Sequence, residues 1–119
     1  SSAMKKALKQ LGMDPEVIRR ASIAMYEGEI NMVIHANGGD ITVEIEPDAI
    51  TMQLADRGPG IPDIPLAMKE GYSTAPDDVR SLGFGAGMGL PNMKKYSDEF
   101  DIQSAVGVGT TVRMAVRID

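Results

Sequence analysis

Glu27, Asn31 and His35, in the stretch "YEGEINMVIHANGG", are spaced by four residues and so share one ridge of a helix. An acid and an amide one turn apart suit a hard, oxygen-liganded cation such as Mg²⁺, which keeps several waters and takes one or two protein oxygens. Glu27 could equally orient or deprotonate a hydroxyl group. Taken alone, a solvated polar stripe explains the ridge as well, and His35 reads as a packed or helix-end residue rather than a catalytic one.

A second candidate is "GFGAGMGLPN", which places glycine at 83, 85, 87 and 89. Glycine inside a regular element costs roughly 0.5–1 kcal/mol relative to alanine, so a run this dense implies a flexible loop or a backbone that approaches a ligand closely. The dinucleotide fingerprint GxGxxG fails in both registers, because Met88 and Leu90 stand where the third glycine belongs. The phosphate loop GxxxxGK[ST] fails too, since no glycine in the run is followed by Lys. Phosphate binding here would need another architecture.

The elements that must position these residues follow from periodicity. A short helix over 4–11 ends near Gly12, and Asp14 with Pro15 makes an N-cap and first turn for a second helix reaching about Ala36. Two alternating runs, "ITVEIE" and "ITMQLAD", form a hairpin, and "EFDIQSAV" with "TTVRMAVRI" forms another. Between the hairpins a short helix is expected near 65–70, then a polar loop, the glycine run and a helix over about 89–97. In the first hairpin Ile41, Val43, Ile45, Ile50, Met52 and Leu54 share one parity, and in the second Phe100, Ile102, Val112, Met114, Val116 and Ile118 do. One face is therefore buried and one wet. The economical architecture is α/β (α+β): a two-layer sandwich with a mixed, mostly antiparallel sheet and helices on one face.

Two polar residues break that parity. Asp56 continues the apolar series of its strand and Thr110 begins the apolar series of the last one, so both point toward the helices. An inward carboxylate is costly unless it receives hydrogen bonds. Asp56 before "RGPG" is also a reasonable turn initiator. Two such residues beside a glycine run favour a pocket.

Composition narrows the setting. A chain of 119 residues makes one domain, 1–119. Twelve basic against 17 acidic residues, net −5, argue against a general nucleic-acid or anionic-membrane binder. The absence of Cys removes disulfides and thiolate metal sites and fits a cytoplasmic setting. No transmembrane run or signal peptide is visible.

The order "ExxxN" on a helix, "DRGPG" after a strand, "GFGAGMGL" before a helix and "GTTV" opening a strand resembles the GHKL (Bergerat-fold) ATPase superfamily over about 14–118. Within it the chain is most similar to the bacterial anti-sigma factor serine/threonine kinases, with a histidine kinase-like ATPase domain. The resemblance implies ATP and Mg²⁺ as ligands. It makes 14–36 the N-box helix and 62–86 the ATP lid. It makes Asn31 the Mg²⁺ ligand, Glu27 the catalytic acidic residue, as general base or in aligning the nucleophile, and Asp56 the acceptor for the adenine amino group. Gly58 and Gly60 would let the chain turn under the base, while Thr110 would hold Asp56, the adenine and a water. Gly85, Gly87, Gly89 and Leu90 would meet the phosphates, and Arg80 the γ-phosphate. The implied function is transcriptional regulation by phosphorylating Ser or Thr on an anti-anti-sigma-type partner, with ATP/ADP and a sigma factor or that substrate as partners and no direct nucleic-acid or membrane contact. Such kinases usually carry a strand and a full helix ahead of the ExxxN helix, where 13 residues precede Asp14 here, and a homodimer through that strand is left as an open expectation. A sensor histidine kinase catalytic domain and a non-catalytic nucleotide-sensing module are the alternatives.

Overall fold

Asp14 starts the longest element of the protein. Its Oδ1 accepts from the Glu16 amide at 2.8 Å and its carbonyl from Ile18 at 3.0 Å, with Pro15 supplying a helical φ at the first position. The structure, a computed structural model, describes residues 2–36, 38–69 and 89–118. Within them the order is α1 (Ser2–Gln10), α2 (Pro15–Ala36), β1 (Gly39–Ile45), β2 (Ala49–Asp56), α3 (Ile64–Ala67), α4 (Gly89–Lys95), β3 (Glu99–Ala105) and β4 (Gly109–Arg117). The helices and both hairpins expected from periodicity are present, with ends shifted by a few residues.

The sheet runs β1-β2-β4-β3, and all three of its pairings are antiparallel. Ile50, Met52 and Leu54 on β2 and Val112, Met114 and Val116 on β4 form its buried face. Above them α2 presents Ala21, Ala24, Met25 and Met32, and α4 presents Leu90 and Met93, all buried. Met4 and Leu8 of α1 complete the core. Small residues on α2 permit close approach: a Cβ at Gly28 would lie 2.8 Å from Leu54 Cδ2, so a larger residue there would make the Leu54 side chain shift.

One part of the parity reading needs correction. Ile41 and Ile45 share the apolar parity of β1, yet they are 44% and 42% exposed. The helices cover β2 and β4, and β1 is an edge strand at the margin of that layer. Alternation reports which face a residue takes; it does not report how far the facing layer extends.

Polar ties join the far ends of the elements. Asp98 accepts from the Arg117 amide at 2.6 Å and pairs with Arg20 of α2 at 3.0 Å, linking the start of β3 to β4 and the helical layer. The Arg117 amide first, and then the Arg20 guanidinium, hold the Asp98 carboxyl below the usual carboxylate range against a smaller cost of burial. Among the described residues no helix is long and apolar enough to cross a membrane.

Candidate functional site

The last residue of β2 and the second of β4 meet at one end of the sheet. Asp56 Oδ1 accepts two backbone hydrogen bonds, from Gly58 at 2.9 Å and from Thr110 at 3.0 Å. The first is a local turn, as "DRGPG" suggests; the second crosses to another strand and holds the carboxylate at the rim of the core. Both expectations for Asp56 are therefore met together. Thr110 is buried, at 7% exposure, and ties to Asp56 through its amide rather than its hydroxyl.

The chain then leaves β2 along a path that only glycine tolerates. Gly60 has φ +79°, and a Cβ there would overlap the Ala105 carbonyl at the end of β3. Gly58 lies under α2, where a Cβ would come 2.7 Å from Ala36 Cβ. Gly107 donates to the Pro59 carbonyl at 2.9 Å, so the β3–β4 turn and the loop after Asp56 are stitched to each other. Ser104 tightens the same corner. Its Oγ accepts from the Ile61 amide at 2.6 Å, donates to the Gly109 carbonyl at 3.2 Å and lies 2.8 Å from Thr110 Oγ1.

A different arrangement stands where α2 meets α4. Glu27 and Asn31, one turn apart, both face the start of α4: an ideal Cβ at Gly89 would stand 3.8 Å from Asn31 Oδ1 and 3.9 Å from Glu27 Oε2. Gly89 itself places no side chain between them. Burial pushes the Glu27 carboxyl above the usual carboxylate range, and a hydrogen bond from the Asn92 side chain, one turn into α4, pulls in the opposite direction. An open groove along α1 and α2 is lined by Lys5, Ser22, Tyr26, Glu27 and Glu29 among others. Among the described residues no group of three or more Asp, Glu or His converges as a metal cage. Among the described residues, a cation here would find one or two protein oxygens, from Asn31 and Glu27, and leave other positions to water and ligand oxygens. That donor set fits Mg²⁺.

The structure thus brings Glu27, Asn31, Gly89 and Leu90 together at one place and Asp56, Gly58, Gly60 and Thr110 at another. Arg80, Gly85 and Gly87 lie outside the described residues, as do the side chain of His35 and residues 70–86 of the expected lid. Two residues escaped the sequence reading. Ser104 has the same parity as Phe100 and Ile102, so the rule that singled out Asp56 and Thr110 singles it out too. Asn92 had no comparable signal, because an Asn in a short helix is unremarkable until its partner is known.

The described residues thus form a one-faced antiparallel sandwich with an acid–amide pair on its long helix and a hydrogen-bonded carboxylate at a strand end. The chain belongs to the histidine kinase-like ATPase domain family, which matches residues 1–116. Among its relatives is the serine/threonine-protein kinase RsbT of Bacillus subtilis, 34% identical over 109 residues that cover 88% of this chain and 76% of that protein. An anti-sigma F factor of a Thermoanaerobacter species is 36% identical over 109 residues, covering 86% and 73%. The anti-sigma F factor of Pasteuria penetrans is 31% identical over 115 residues, covering 89% and 73%. These relatives support a regulatory, kinase-like ATPase of the anti-sigma type.

Proposed function

We propose that this protein is an Mg-ATP-dependent serine/threonine kinase that regulates transcription by phosphorylating an anti-anti-sigma-type protein. The observation that carries the reading is the convergence of Glu27 Oε2 and Asn31 Oδ1 on the space above Gly89, in a chain whose relatives include a named Ser/Thr kinase. Asp56 accepts from the adenine amino group, and Gly58, Gly60 and Thr110 shape the base pocket. Leu90, buried below Gly89, fixes the helix start that faces the phosphates. The expected lid, 62–86, carries Arg80, Gly85 and Gly87, and its residues 70–86 lie outside the described residues.

Asn31 holds the metal, which when bound offsets negative charge on the phosphate oxygens. Glu27 takes the proton of the acceptor hydroxyl. That oxygen bonds the γ-phosphorus as the bond to the β–γ bridging oxygen breaks, and ADP leaves. A carboxyl with a raised affinity for protons is a better base than a fully solvated one, provided that it is ionised at the working pH.

Labelled Mg-ATP with anti-anti-sigma-type partners tests the proposal. Label should appear on a Ser or Thr of one partner, and Asn31→Ala should abolish it. Saturable ATP binding without any labelled protein would replace the kinase reading with nucleotide sensing.

A further inference from the structure

Ser104 is the second side-chain junction at the corner that holds Asp56, and no role has so far been attached to it. It lies inward on β3, directly across from Thr110 in the strand register. We propose that Ser104 is a positioning residue that sets the Thr110 hydroxyl and holds the Ile61 amide, and so determines selectivity for adenine. The proposal rests on the adenine-pocket reading of Asp56.

The argument comes from counting protons. A serine hydroxyl has one hydrogen and two lone pairs. One lone pair of Ser104 is taken by the Ile61 amide at 2.6 Å. Its hydrogen can go to Thr110 Oγ1 at 2.8 Å or to the Gly109 carbonyl at 3.2 Å. In the first arrangement Thr110 keeps its own hydrogen free to donate. In the second Thr110 donates to Ser104 and offers only lone pairs. Adenine presents an amino donor beside a ring-nitrogen acceptor, so its complement is an acceptor next to a donor. Asp56 is the acceptor, and Thr110, hydrogen-bonded to it through the amide, is the neighbouring donor in the first arrangement. Guanine presents the reverse pattern, with a carbonyl facing the carboxylate. Because Ser104 lies on the far side of Thr110 from Asp56's amide bond, its hydroxyl chooses which pattern the pocket offers.

The Ile61 bond adds a second effect. It spans 43 positions in sequence and fixes the residue just before the expected lid, which begins at 62. Loss of Oγ leaves a part-buried amide without this partner, a change that local opening should reveal.

Three proteins decide the matter: the parent, Ser104→Ala, and Ser104→Thr, which keeps the hydroxyl and suits a strand. Binding of Mg-ATP and Mg-GTP by calorimetry is read together with hydrogen exchange at the Ile61 amide by NMR. In Ser104→Ala, ATP should bind about five- to tenfold more weakly with GTP changed less, and Ile61 should exchange about tenfold faster. Ser104→Thr should restore both. Faster exchange with an unchanged ATP-to-GTP ratio would overturn the selectivity role and leave Ser104 a structural residue. Unchanged exchange would overturn the hold on Ile61. A parent with no preference for ATP overturns the adenine reading itself, and that result is visible before any variant is made.

Discussion

The two ends of the proposed nucleotide site, a base end and a phosphate end, are built on opposite principles. At the base end, Asp56, Gly58, Gly60, Ser104 and Thr110 form a closed set of hydrogen bonds and close backbone contacts between strand ends. At the proposed phosphate end, Glu27 and Asn31 stand on a helix face with an oxygen of each near the position a Gly89 side chain would take, and the Glu27 carboxyl is held at a cost of desolvation. A base of fixed shape is recognised by donors and acceptors set in advance. A transferring phosphate needs groups whose full interactions exist only when ligand and metal are present. Base-end residues should therefore link binding to stability, whereas phosphate-end residues should separate activity from stability.

The largest separation is expected at Glu27. Glu27→Gln removes the proton acceptor and should lower phosphotransfer by about 10²–10⁴-fold, the usual range for a positioned general base. Stability should move the other way at neutral pH. A carboxyl whose folded pKa is raised costs nothing below its unfolded value, and costs progressively more as pH rises through the folded value, because the folded state then gives up a proton it retains better. Glutamine escapes that cost. Thermal melts of parent and variant should coincide near pH 4 and diverge in favour of the variant above it. A variant less stable at pH 8 would contradict the contrast between the two ends.

Asp56→Ala should show the coupled behaviour. Two part-buried amides, of Gly58 and Thr110, lose a charged acceptor, a loss of about 2–3 kcal/mol in stability. ATP affinity should fall in the same variant, with the preference over GTP removed. Chemical denaturation and calorimetric titration of one preparation would show whether the two losses occur together.

The base end was also the more legible in sequence, for the same physical reason. Strands carry a period of two, so an inward Asp56 or Thr110 stands out against Leu54 or Val112, and "DRGPG" announces the turn that follows. Ser104 obeyed that logic as well. The helix ridge of Glu27 and Asn31 gave a direction but no partner, because what faces it depends on how α4 docks. Local spacing does not contain that docking. The exposure of Ile41 and Ile45 has the same origin, since it depends on where the helical layer ends.

The finest test of the contrast is Asn92, whose side chain donates to Glu27 and lowers its affinity for protons. Asn92→Ala removes that donor and leaves desolvation unopposed, so the folded Glu27 pKa should rise further. The acidic limb of the phosphotransfer rate profile should then move to higher pH, with a loss of only a few-fold at neutral pH that is recovered in more alkaline buffer. Stability should be unaffected where Glu27 is protonated in both folded and unfolded states, and should fall relative to the parent as pH rises through the folded pKa. If Asn92 acts only through packing, the melting difference will be the same at every pH. The double variant Glu27→Gln with Asn92→Ala separates the two: with no carboxylate to orient, Asn92→Ala should lose its pH dependence, and a pH dependence that survives would assign its effect to some other group.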